Sequence, residues 1–128
     1  MKKYELDLTG YSVTMMAPVT KKDEDGKEHR VMEHVTEEYP LRTNISSWLR
    51  SMGVFKTGED IAEAVMLARA VRDSEDANDH LILDEREAGI LKQAVNRLVE
   101  LTADGKATLG GEIHEEAIVR VMRMKEVD

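Results

Sequence analysis

The sequence predicts an α+β domain, a long N-terminal β-hairpin packed on a bundle of three to four helices, and three observations predict it. Within residues 4–39 two runs, Tyr4 to Met15 and Arg30 to Tyr39, alternate apolar and polar side chains, while after Pro40 the pattern becomes helical. A single break, at Pro40, separates the two regimes. The chain has 128 residues and no cysteine, so one domain (1–128) can bury a core without disulfide or thiolate-metal staples.

In the hairpin region Tyr4, Leu6 and Leu8 alternate with Glu5, Asp7 and Thr9. After Gly10 the alternation resumes as Tyr11, Val13 and Met15 with its parity shifted by one, which reads as one strand with a bulge. A second β-leaning run covers Arg30 to Tyr39. Between them lies the charged stretch Lys21 to Lys27. Its Asp25-Gly26 pair tolerates positive φ, so the hairpin spans 4–39 with a solvated, mobile tip. Pro18 and Pro40 belong where a strand ends or lies on a sheet edge.

The helical part spans 43–125. Thr43 or Asn44 is placed to cap a short helix running through Trp48 to about Met52, with Gly53 ending it. Thr57, with Asp60 three residues on, caps a second helix containing Ile61 to Val71. Only Glu63 and Arg69 are charged in that run, so it is expected to be the buried central helix, with Met66 as core filler. A polar loop over 73–80 precedes Leu81-Ile82-Leu83, which returns the chain to the core. Asp84 and Glu87 then form a capping box for a one-faced helix through Leu101, closed at Ala103-Asp104-Gly105. Gly110-Gly111 breaks the chain again. Glu112 to about Met124 reads as a last helix, with a strand over Ala117 to Met124 as the alternative.

Charge and motif patterns narrow the function. Against 18 Lys and Arg stand 26 Asp and Glu, a formal net charge of −8, which disfavours nucleic acid as the partner because phosphate binding rests on basic contacts. The acids are spread evenly, as solubility requires. No apolar run approaches a membrane span and the N-terminal residues do not read as a signal peptide, so the expectation is a cytoplasmic protein with no membrane contact.

Asp23-Glu24-Asp25-Gly26 suggests a calcium loop, but Lys21 and Met32 stand where that loop wants an aspartate and a glutamate. His114-Glu115 begins a zinc-protease motif, yet Ile118 occupies the second histidine's place. Gly105-Lys106 lacks the remaining glycine of a phosphate loop, and Ser46-Ser47 falls inside a predicted helix instead of a nucleophile elbow. No catalytic, metal or cofactor residues are assigned, and no cofactor is expected.

The layout resembles compact phage and prophage proteins of the morphogenesis or host-takeover type. The stretches that carry the resemblance are Tyr4 to Tyr11, Pro40-Leu41-Arg42 and Leu81 to Glu87. It implies a non-enzymatic protein-interaction or assembly module, acting in the host cytoplasm if phage-encoded. The alternatives are a regulator that contacts or mimics nucleic acid and, third, a small enzyme. A protein partner, self-association or both are expected. At the C-terminal end Ile113, Ala117, Val121 and Met124 form one helical stripe that Ile118 and Met122 widen. Ile118, Met122 and the isolated Val119 are therefore the candidate partner surface, with internal core as the alternative.

Overall fold

The structure, a computed structural model, describes residues 2–51, 53–74, 79–106, 109 and 112–127. Much of the expected acidic loop, Met52 at the first helix end and Gly110-Gly111 lie outside the described residues.

The α+β class holds, and the strands divide between two sheets. Strand β1 (Lys3–Asp7) sits in the middle of a three-stranded antiparallel sheet between β4 (His80–Asp84) and β5 (Lys125–Val127). Strands β2 (Ser12–Lys22) and β3 (Glu28–Glu38) pair only with each other. The bulged strand expected across Gly10 is therefore two strands, and the hairpin proper begins at Ser12 instead of residue 4. The parity reset at Gly10 marks the point where the chain leaves one sheet for another. In register, Tyr4 faces Leu83, Leu6 faces Leu81, and Lys3 faces Val127 on the other side. Leu6 and Leu83 are buried beneath this sheet.

Helix α1 (Leu41–Leu49) starts directly after Pro40, whose fixed φ suits a helix entrance. Neither Thr43 nor Asn44 caps it, in contrast to the sequence expectation; both lie inside, and the Asn44 amide donates to the Pro40 carbonyl at 2.9 Å. The helix begins early because Leu41, together with Ile45, Trp48 and Leu49, is drawn into the core. Gly53, with φ of +80°, turns the chain to bring Val54 and Phe55 inward.

Helix α2 (Gly58–Asp73) is capped as expected, the Thr57 hydroxyl accepting from the Asp60 amide at 3.1 Å. It is not buried all round. Ala64, Leu67, Ala68 and Val71 face the core, whereas Met66, expected as filler, is 69% exposed. The main cover for α2 comes from α1, so only one side of its apolar surface is enclosed.

Helix α3 (Glu85–Ala103) opens on the expected capping box: Asp84 accepts from the Glu87 amide at 2.7 Å and Glu87 from the Asp84 amide at 3.1 Å. Its inner face, from Ala88 through Ile90, Leu91, Ala94 and Val95 to Leu98, supplies the centre of the core. Arg86 reaches across to hold Glu63 of α2 with two hydrogen bonds of 2.7 and 2.8 Å. A single 3-10 turn (Glu112–His114) then leads into α4 (Glu115–Met122). The last segment is thus helical, and β5 follows it.

Candidate functional site

The β2–β3 hairpin is the part of the molecule whose surface is least accounted for by the fold. Each strand has eleven residues, about 35 Å at the usual rise, and no residue in either strand is buried. Its one substantial contact with another element is at the 3-10 turn beside its root. The hairpin is therefore a projecting arm.

The arm's geometry follows from its turn and its register. Asp23 closes the tip: its side chain accepts from the Asp25 and Lys27 amides at 3.0 and 2.9 Å, and its amide donates to the Lys27 carbonyl. Of the expected Asp25-Gly26 pair only Gly26 takes positive φ, at +78°. His29 adds a 2.8 Å contact to the other Asp23 oxygen.

From this closing pair, hydrogen-bonded and non-hydrogen-bonded pairs alternate down to Tyr11 and Tyr39, where the Tyr39 amide donates to the Tyr11 carbonyl. Pro18 faces Met32 in a non-hydrogen-bonded pair. Its missing N–H therefore costs the ladder nothing and falls on the outer edge of β2, as the sequence expected for a proline inside a strand.

One face of the arm carries Val13, Met15, Ala17 and Val19 with Val31 and Val35 across from them; the other carries Met16, Pro18 and Met32 among threonines and His34. Met16 is 50% exposed, Met32 58% and Val31 38%. Val13, at the arm's foot, packs against the core, whereas Met16, Val31 and Met32 further out lie exposed on the two faces of the ribbon.

The root is built differently. Tyr11 and Tyr39 stack with ring centres 5.1 Å apart, and the Tyr39 hydroxyl lies 2.6 Å from His114 Nδ1. Trp48 of α1 meets the same imidazole edge-on. Burial pushes the Tyr39 hydroxyl up, and burial together with the neighbouring Tyr39 pushes Tyr11 up to about 12. Burial also lowers His114 below the usual imidazole value, favouring the neutral ring.

Arg120 lies over the Tyr11 ring at 4.7 Å and donates to the carbonyls of Thr9 at 2.6 Å and Asp7 at 3.3 Å, with Glu116 on its other side at 2.9 Å. Burial would raise the Asp7 carboxyl, but the Thr9 hydrogen bonds and the charge of Arg120 outweigh it and hold it low. This cluster fixes the angle at which the arm leaves the body.

The sequence assigned its partner surface elsewhere, to Ile118, Val119 and Met122. Ile118 and Met122 are half-buried against the core, and Val119 is 48% exposed on α4. The three are not brought together with the arm's apolar faces. Sequence reasoning took His114 only as a failed zinc motif and assigned Arg120 no place in a site. Nothing local in the sequence ties either residue to Tyr39 or Thr9.

Among the described residues no group of three or more metal-ligating side chains converges, and no helix is long and apolar enough to cross a membrane. The clefts on the helical body are open, such as that lined by Asp60, Asp84, Arg86, Gly89 and Gln93. No family model, curated protein or solved structure matches the chain.

Proposed function

We propose that the chain is a non-enzymatic protein-interaction or assembly module, of the phage-morphogenesis kind its layout resembles, and that it acts in the cytoplasm by presenting the β2–β3 arm. One observation carries the reading: two eleven-residue strands, packed on the core only at Val13 near their foot, leave Met16, Val31 and Met32 exposed. A ribbon of this kind gains stability when a partner covers its faces or extends its edges, which is how strand addition works as a recognition mode. Val119 on α4 is a separate, smaller apolar point that a partner reaching the body can use.

Direct contact of the arm with nucleic acid is disfavoured, since residues 12–38 carry seven acids against four Lys and Arg. A gel shift with duplex DNA over a range of salt tests that second reading; binding that weakens steeply with salt supports it. For the arm, a photo-crosslinking residue is placed at Met32 or at Glu59 on the body, in cells that produce the protein. Adducts formed from position 32 and not from 59 support the proposal. Equal labelling at both positions, or none at 32, overturns it.

A further inference from the structure

The two edges of the arm are unlike, and the difference selects a partner. On β2 the outward-facing donors belong to Ser12, Thr14, Met16, Thr20 and Lys22, with a gap at Pro18 in the middle. On β3 the outward positions are Glu28, Arg30, Met32, His34, Thr36 and Glu38, none of them proline, and among the described residues no backbone group pairs with them. One edge is blocked and the other is open. Three charged residues on the open edge, Glu28, Arg30 and Glu38, have no ionic partner among the described residues.

We propose that the open edge of β3 pairs antiparallel with the same edge of a second copy, with His34 on the two-fold axis and Arg30 opposite Glu38 of the second copy. The product is a four-stranded sheet in the order β2-β3-β3-β2. The proposal rests on the arm being the interaction surface and names its occupant.

Three considerations set the register. Strand pairing requires outward-facing positions to oppose one another, which limits Arg30 to even-numbered neighbours. A register that sets Arg30 against Thr36 brings Glu33 onto Glu33 of the second copy, a like-charge pair. Two registers give Arg30 an acidic partner and each makes the ion pair twice, but Glu28 overlaps only residues 28–30 at the tip, whereas Glu38 overlaps the whole stretch from Arg30 to Glu38. Met32 then meets Thr36, on the face where Pro18 and Met16 lie exposed. An edge of this length buries the area of a small transient interface, so the association is weak and needs a concentrated sample.

Sedimentation equilibrium from about 10 to 500 µM, the range suited to a small interface, tests the pairing on the wild type, Arg30→Glu, Glu38→Arg and the double variant. Both residues are exposed, and circular dichroism checks that each variant keeps its fold. The wild type is expected to dimerise, each single variant to weaken the dimer tenfold or more, and the double variant to return within about threefold of wild type, as a restored contact pair should. A wild type that stays monomeric throughout, single variants that dimerise like wild type, or a double variant as weak as the singles overturns the proposal. Because the arm's own test is crosslinking at Met32, a monomeric wild type that still gives arm-specific adducts to another protein removes the second copy and leaves the arm in place.

Discussion

Arg120 donates to the carbonyl of Thr9 at 2.6 Å, joining α4 to the short connection between the core sheet and the arm. The same guanidinium covers Tyr11, so one side chain holds both the backbone and the ring on which the arm is based. Removing it leaves two carbonyls and a tyrosine face without their cation.

Arg120→Ala is therefore expected to cost about 2 kcal/mol, the size of a hydrogen bond to a charged group. Urea denaturation gives the loss, and hydrogen exchange should show faster exchange at Tyr39, whose amide closes the arm's root. Arg120→Lys should recover only part of it, because an ammonium cannot reach both carbonyls and Glu116 as a planar fork does. Full stability in the Ala variant would show that the arm is anchored by the stacked tyrosines alone.

His114 makes the root sensitive to acid. Its folded-state pKa is lowered by burial, so below the ordinary imidazole value of about 6.5 the unfolded chain takes up a proton that the folded chain resists. The sign is fixed: this contribution is whole above about pH 6.5 and is lost as pH falls toward the lowered folded value. Stability measured from pH 7.5 to 5 should drop further for wild type than for His114→Gln, which keeps a polar group near Tyr39 without the titration. Parallel curves for the two proteins would remove His114 as the cause.

The tip should be dispensable for folding. Replacing residues 22–28 with Asn-Gly joins Lys21 to His29, a hydrogen-bonded pair in the present phase and the kind a two-residue turn requires. The melting temperature is expected to stay within a few degrees. A collapse of the fold would mean that the Asp23 turn sets the register for the strands below it.

Helix α2 offers a graded test of burial. Leu67→Asp places an unpaired carboxylate in the core and should unfold the domain, at a cost of several kcal/mol. Val65→Asp, half-buried, should destabilise without unfolding, and Met66→Asp should change stability by no more than about 0.5 kcal/mol. Chemical denaturation of the three variants gives the order directly, and a Met66→Asp loss as large as that of Leu67→Asp would place Met66 in a covered interface.

What the sequence made legible was what its neighbours decide. The Asp84–Glu87 box, the Thr57 cap and the β2–β3 pairing all form between residues a short distance apart, and alternation or spacing reports them. The release of β1 from the hairpin was not legible, because its partners lie at His80–Asp84 and Lys125–Val127 and no local pattern points to them. Leu81-Ile82-Leu83 looked only like a return to the core, too short to show a period. The Thr43 and Asn44 cap failed because burying Leu41 outweighs a capping hydroxyl or amide.

The arm was visible as a hairpin but not as a projection. Half-apolar alternation looks the same whether a face is covered by helices or left open, so Met16 and Met32 read from sequence as ordinary strand residues. The Arg120 clamp spans almost the whole chain and is closed by tertiary structure alone.

The place of β1 between β4 and β5 bears on the order of events during synthesis. Strand β1 leaves the ribosome before the arm, yet one of its neighbours, Lys125–Val127, is translated long after it. The arm needs only its own 27 residues, 12–38, to close its ladder. While the body still waits for Arg120 and its third strand, every residue of that ladder is already present, so the ribbon can close before its angle to the body is fixed.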